Sequence, residues 1–297
     1  MSFHTLSKLN PLDILESFTG STLILPVVSI GNIPQLALDI LVYNLPDVHL
    51  VGRLDSTWLY PLVGPADYIE GKPKSSETNV STPLEVYYCQ KYNVTLLQQR
   101  TPILPGSTQH FFIELIKPFI ELCEFRRVIV LQSNDQGLRQ DKYSNKRLQL
   151  WTNDLAKNLE ISLNMESKES QMVSVNDCDE ISPVGDFLFK KLEAEQEEQA
   201  NKSIEMGRST SNLFRLIDSA RTMELSEAKV KKTEKRECIV LSAFAYEGDN
   251  TQDAKLMYES LIKMMGIEMG QITTPKSWKG VYGKEEVPTG LEYGLYA

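Results

Sequence analysis

Thr22-Leu23-Ile24-Leu25-Pro26-Val27-Val28-Ser29-Ile30-Gly31-Asn32 is an apolar run rich in β-branched residues, stopped by a glycine and an asparagine. Apolar side chains at successive rather than alternate positions fit a strand buried on both faces, as in a sheet covered by helices. Pro34 stands where a first helical residue would. Leu36, Leu38, Ile40, Leu41 and Tyr43 continue a mostly apolar helix that should stop before Pro46. Strand, tight turn and helix together open an α/β fold.

The same reading extends along the chain. Val48 to Leu54 is a second strand, and Leu84 to Gln90 with Val94 to Arg100 form a hairpin around Lys91-Tyr92-Asn93. From Thr108 a helical spacing puts Phe111, Phe112, Leu115, Phe119 and Leu122 on one broad face, with Pro118 bending the helix. Arg127 to Leu131 has the continuous apolar character of a central strand, and the polar stretch from Gln132 to Lys146 is expected to be a surface loop. Cys238 to Ala245 is another such strand. After Gly248-Asp249-Asn250, a helix is predicted over Thr251 to Met265, with Asn250 as its N-cap and Asp253 in its first turn. Trp58, Tyr60, Tyr43 and Phe112 are assigned to the core.

Between these parts, residues 166–180 are polar and 192–202 are dominated by Glu and Gln; a helix is expected over 187–199. The nine residues Lys229 to Glu237, with five basic side chains, read as a solvated connector. The fold expectation is therefore a single layered α/β domain, residues 1–283, with a mostly parallel central sheet flanked by helices. It carries a polar, acidic insertion at about 165–206 and the connector at 229–237, and a flexible tail at 284–297 follows.

The chain has 297 residues, 41% hydrophobic and 24% charged, an ordinary globular composition. A net charge of −9 and a pI near 5.1 give a surface that repels phosphate backbones and anionic lipid, so neither nucleic acid nor membrane is an expected partner. The longest apolar stretch, Leu23 to Ile30, is far shorter than the roughly 20 residues a membrane-spanning helix needs. Without a basic, then apolar, leader, the protein is expected in the cytoplasm and nucleus, and the acceptor triplets at Asn79, Asn93 and Asn201 should stay unglycosylated. Cys89, Cys123, Cys178 and Cys238 form no Cys-x-x-Cys pair and read as reduced thiols, with no metal expected.

Catalytic signals are sparse. The three histidines, His4 at a frayed terminus, His49 and His110, accompany no nucleophile motif, and none of the common phosphate-cradling or nucleophile-elbow patterns occurs. Ser29-Ile30-Gly31-Asn32 lies between a strand and a helix, where free N–H groups could hold an anion; turn and cap chemistry is the simpler reading. Tyr246-Glu247-Gly248-Asp249-Asn250 brings two carboxylates close together, which general acid and base work or a metal could use, and again turn and cap chemistry accounts for it.

The C-terminal stretch from Lys284 to Ala297 has Gly and Pro at spacings that prevent a helix, so it should project as a tail ending Leu295-Tyr296-Ala297. An apolar residue and a phenol beside a carboxylate can fill a pocket and pair with a lysine at its base.

Six segments in order carry a resemblance: Leu23 to Asn32 with Gln35-Leu36-Ala37-Leu38-Asp39; Tyr60-Pro61-Leu62-Val63-Gly64; Glu85-Val86-Tyr87; Arg127 to Leu131; Glu247-Gly248-Asp249-Asn250 with Asp253-Ala254; and Pro275-Lys276-Ser277-Trp278. They resemble the proteasome assembly chaperone 2 family in its fungal members, whereas residues 133–237 resemble it only loosely. The resemblance implies a non-catalytic α/β domain without cofactor that pairs with a related chaperone subunit as a heterodimer. It implies that the pair sits on the outer face of the 20S proteasome α-subunit ring, promotes correct assembly and blocks premature binding of other partners. It also implies that Leu295, Tyr296 and Ala297 insert between α subunits, and that Gly31, Asn32, Gly248, Asp249 and Asn250 are scaffold turns. Two other readings remain: an α/β enzyme or binding protein acting on a nucleoside or phosphate ligand, and an interaction scaffold working through the acidic segment around Glu193 to Glu198.

Overall fold

A computed structural model describes residues 2–6, 10–68, 80–138, 147–152, 170–172, 236–268 and 270–279. Cys178, the 187–199 helix, residues 166–169 and 173–180, the connector up to 235 and the whole 284–297 tail lie outside them.

The elements run β1 (Phe3–Thr5), α1 (Pro11–Glu16), β2 (Thr22–Pro26), α2 (Ile33–Asn44), β3 (Val48–Leu54), β4 (Gly64–Pro65), β5 (Val80–Ser81), β6 (Leu84–Cys89) and β7 (Val94–Gln99). There follow α3 (Thr108–His110), a π-helical turn (Phe111–Ile116), α4 (Lys117–Leu122), β8 (Arg127–Asp135), β9 (Leu148–Thr152), β10 (Ser170–Met172), β11 (Glu237–Ala245) and α5 (Thr251–Met265). Nine of these strands form one sheet, in the order β1-β3-β6-β7-β2-β8-β11-β9-β10. Its centre, β7-β2-β8-β11, is parallel, as the continuous apolar runs require; β6 and β9 join this centre antiparallel from either side.

Consecutive residues of the central strands explain the runs. In β8, Val128 and Val130 point into one core with Phe111, Phe119 and Trp151, while Ile129 and Leu131 point into the other with Leu38, Leu41 and Leu261. Each face of the sheet is thus covered by helices, α1 and α4 on one side and α2 and α5 on the other. The fold class, the helix over Ile33–Asn44, the strand over Val48–Leu54 and the helix over Thr251–Met265 match the expectation. Cys89, Cys123 and Cys238 are buried free thiols, and burial pushes the Cys123 thiol up to about 12.

Several expectations are corrected. The Gln132 to Lys146 loop does not start at Gln132, because β8 keeps full register with β11 to Asp135 and buries Gln132 and Ser133. Polar side chains can stay inside a strand when they find partners, and Ser133 finds Ser29 while Asn134 finds Ser242. Leu122 is 48% exposed, and Ile116 and Ile120 are buried. The π-helical turn ahead of Pro118, in which the Lys117 N–H donates to Phe112 O, inserts an extra residue and rotates the buried stripe. His4 is not at a frayed end; it pairs with Arg53 in β1, an edge strand the sequence reading missed together with α1 and β9. Glu237 is not solvated connector but the first residue of β11, buried and 2.7 Å from Arg127 Nε. Tyr60 is 43% exposed rather than core, whereas Phe112 is buried.

Candidate functional site

The two signature turns lie at the C-terminal ends of β2 and β11 and touch each other. Gly31 has φ 67° and Asn32 φ 50°, so the chain turns through two successive left-handed residues to enter α2. The buried Asn250 side chain fills the space where Gly31 lacks one: a Cβ there would stand 2.3 Å from its Nδ2 and 2.7 Å from its Cγ. Only glycine satisfies both the left-handed conformation and this close approach. Asn250 Nδ2 in turn donates to Gly248 O at 3.0 Å, closing the second turn on itself.

Asn250 stands at the N-cap of α5, as expected, and Asn32 at that of α2, but neither asparagine caps its helix through its side chain. Asp249 does that work for α5, accepting from Thr251 N at 3.0 Å and from Thr251 Oγ1 at 2.6 Å. These bonds hold its carboxyl below the usual range. Ser29 is also tied inward: its hydroxyl donates to Val27 O at 2.9 Å and accepts from the Ser133 N–H at 2.9 Å. Ser133 Oγ donates to Ile30 O. The strand ends are therefore stitched to one another. Among the described residues no group of three His, Cys, Asp or Glu side chains is placed to hold a metal.

Two further signature segments meet beneath α2. Arg100 lies between Asp39, 3.2 Å from its Oδ1, and the fully buried Glu85, whose Oε2 is 3.1 Å from Arg100 Nε. Tyr87 donates to Glu85 Oε2 at 3.0 Å, and Gln98 Nε2 donates to Asp39 Oδ1 at 2.7 Å. Burial raises the Asp39 carboxyl above its ordinary range, against the pull of Arg100. Burial and the Glu85 charge raise the Tyr87 phenol. This network joins α2 to β6 and β7; Asp39, Glu85 and Tyr87 were visible as signature residues, but Arg100, the cation they share, was not.

The remaining signatures, Tyr60-Pro61-Leu62-Val63-Gly64 and Pro275-Lys276-Ser277-Trp278, are joined through a strap. Residues 60–68 leave the end of β7, where Thr101 Oγ1 donates to Tyr60 O at 2.8 Å. The strap ends where Lys276 N donates to Tyr68 O at 2.9 Å and Ser277 donates to both Asp67 carboxylate oxygens. Trp278 packs on the α2 and α5 core. Elsewhere, His110 stacks on Trp58 at 5.1 Å and its Nδ1 is 2.6 Å from Glu114, an exposed pair at the surface. Leu295, Tyr296 and Ala297 lie outside the described residues.

The signature segments thus serve a helix-covered α/β sheet whose strand-end turns lock on each other. The profile of the PAC2 family matches residues 23–177, more than half of the chain, and the chain belongs to that family. Proteasome assembly chaperone 2 of Saccharomyces cerevisiae is 26% identical over 288 residues, spanning 89% of this chain and 95% of the yeast protein. The same-named protein of Nematostella vectensis is 36% identical over 127 residues, 42% of this chain and 49% of that one. Among solved structures, Pyrococcus furiosus PbaA, an archaeal homolog of proteasome-assembly chaperone, superposes with a TM-score of 0.54 at 15% identity, covering 85% of this chain and 84% of PbaA. PbaB of the same organism, an archaeal proteasome activator, superposes with a TM-score of 0.51 at 12% identity, covering 91% and 90%. These two likenesses establish a shared fold.

Proposed function

We propose that the chain is a non-catalytic proteasome assembly chaperone subunit of the cytoplasm and nucleus. It pairs with a related chaperone subunit and sits on the outer face of the α-subunit ring while the ring is built. The observation that carries this reading is the end-to-end similarity to the yeast protein, which spans 95% of that relative. Locked strand-end turns and a two-sided core support it, since a holding protein needs a stiff body more than an open cleft.

In this reading the Leu295-Tyr296-Ala297 tail docks between neighbouring α subunits. Burying one leucine and one tyrosine is worth about 1.5–3 kcal/mol each before the tail's ordering cost, so the tail alone binds weakly. Tethering it to a body that also touches the ring, beside a partner with its own contacts, raises overall affinity by roughly 10²- to 10⁴-fold. Occupied pockets exclude other ring partners, and a change of ring shape that removes one contact releases the pair.

Co-purification of full-length chain, a chain lacking Leu295-Tyr296-Ala297, and Tyr296→Ala tests it. Recovery of a second chaperone with all three, and at least tenfold less α-subunit and immature-particle capture by the two altered tails, is expected. Absence of proteasome subunits from the full-length sample refutes the function; undiminished capture by Tyr296→Ala refutes the role of the tail.

A further inference from the structure

Beneath the first turns of α2, beside the Arg100 network, two buried carboxamides carry hydrogen-bonding groups that no protein atom meets. Gln98 on β7 is 1% exposed and Gln35 on α2 is 9% exposed. Gln98 Nε2 donates to Gln35 O at 3.0 Å and to Asp39 Oδ1 at 2.7 Å. A backbone carbonyl can only accept, so the amino end of this carboxamide is fixed against α2 and its oxygen is turned away from that carbonyl. Gln98 Oε1 is left without a protein partner, and so are Oε1 and Nε2 of Gln35, although all three atoms are sealed from solvent. Gln35 and Asp39 lie four residues apart on α2, so their side chains leave the same face of the helix. The Gln98 carboxamide, bonded to both residues, lies against that face. The three unmet groups therefore gather where α2 meets β7. Native interiors rarely leave such groups unmet, and their usual partner is an enclosed water.

The unmet set selects its ligand. Two carboxamide oxygens call for a donor and one amino group calls for an acceptor, so the ligand must do both. A cation would suit the oxygens and the neighbouring carboxylates, but it cannot accept from Gln35 Nε2. An anion could accept there, but it cannot donate, and Asp39 and Glu85 already outnumber Arg100 beside it. Asp67 adds a third negative charge within reach of Asp39. A larger neutral molecule needs an opening that these sealed atoms do not have. Water both donates and accepts, and it is small enough to be enclosed.

We propose that the contact between α2 and β7 encloses a structural water, which accepts from Gln35 Nε2, donates to Gln98 Oε1 and so pins the helix to the strand beside Asp39. The site belongs to the fold and holds whichever partner the chain serves.

The test uses the full chain and Gln35→Met, which keeps the side-chain length and helix preference but removes the carboxamide. Three readouts apply: a crystal structure that resolves ordered water, oxygen-17 relaxation dispersion, which counts long-lived internal waters, and thermal unfolding. In the wild type, density is expected within hydrogen-bond distance of both carboxamides. The variant should lose about one long-lived water. It should also melt about 2 °C or more below wild type, because Gln98 Oε1 loses its partner. A dry contact in the wild-type crystal overturns the proposal, and this readout does not depend on how the variant folds. A Gln35→Met chain that melts at or above wild type also overturns it, since deleting unmet polar atoms from a dry interior stabilises. An anomalous signal at the site after thallium replaces sodium overturns the choice of a neutral ligand.

Discussion

Gly31→Ala is a one-methyl change that loads the junction between the two signature turns. An alanine must adopt φ 67°, which costs roughly 1–2 kcal/mol for a residue with a Cβ. Its methyl would also lie 2.3 Å from Asn250 Nδ2, 2.7 Å from Cγ and 3.3 Å from Cβ, so the whole Asn250 side chain must leave. Leaving breaks the 3.0 Å bond to Gly248 O, worth about 0.5–1.5 kcal/mol. The expected destabilisation is about 1.5–3.5 kcal/mol, the sum of these two terms. Equilibrium urea unfolding of wild type, Gly31→Ala, Asn250→Ala and the double variant measures it as a cycle. With Asn250 already truncated, Gly31→Ala should cost only the backbone part, giving a coupling of about 1 kcal/mol between positions 219 apart in sequence (250 − 31). Additive losses, or a Gly31→Ala protein as stable as wild type, would refute the claim that these turns lock on each other.

Three other outcomes follow from the same geometry. Arg100→Met leaves the 1%-exposed Glu85 without its cation and should destabilise by about 3–5 kcal/mol in the same unfolding assay; a loss below 1 kcal/mol contradicts the buried network. Gly52→Ala puts a methyl 2.3 Å from the Phe3 ring and 2.8 Å from His4 O, so β1 should detach, read as faster proteolysis of the N-terminal residues with the core intact. The raised Asp39 carboxyl binds its proton more tightly in the folded state than in the unfolded one. Its contribution to stability is therefore full below the ordinary carboxyl range and is lost as pH rises through the shifted value. Asp39→Asn should remove that downward slope from the stability–pH curve, and an unchanged slope contradicts the assignment.

Local pattern carried much of this protein. The unbroken apolar runs at Leu23 and Arg127 announced a sheet buried on both faces, and the spacing of Ala254, Met257 and Leu261 announced α5, because periodicity depends only on neighbours in the chain. The signature segments carried the family. What the sequence could not show depends on partners distant in the chain. Leu148-Gln149-Leu150-Trp151-Thr152 is a strand because β11 lies antiparallel beside it, and Gln132 and Ser133 are interior because β8 matches β11 to its end. Leu122 faces outward because a π-helical turn six residues earlier moved the stripe. Arg100 became the hub of a network only when α2 brought Asp39 to β7, and Gly31 became irreplaceable only when Asn250 packed on it. Sequence by itself determined the layers and the family, since burial pattern and short motifs are local properties. Tertiary structure alone decided which polar groups are interior and which turns lock together, since those follow from long-range packing that no window of residues contains.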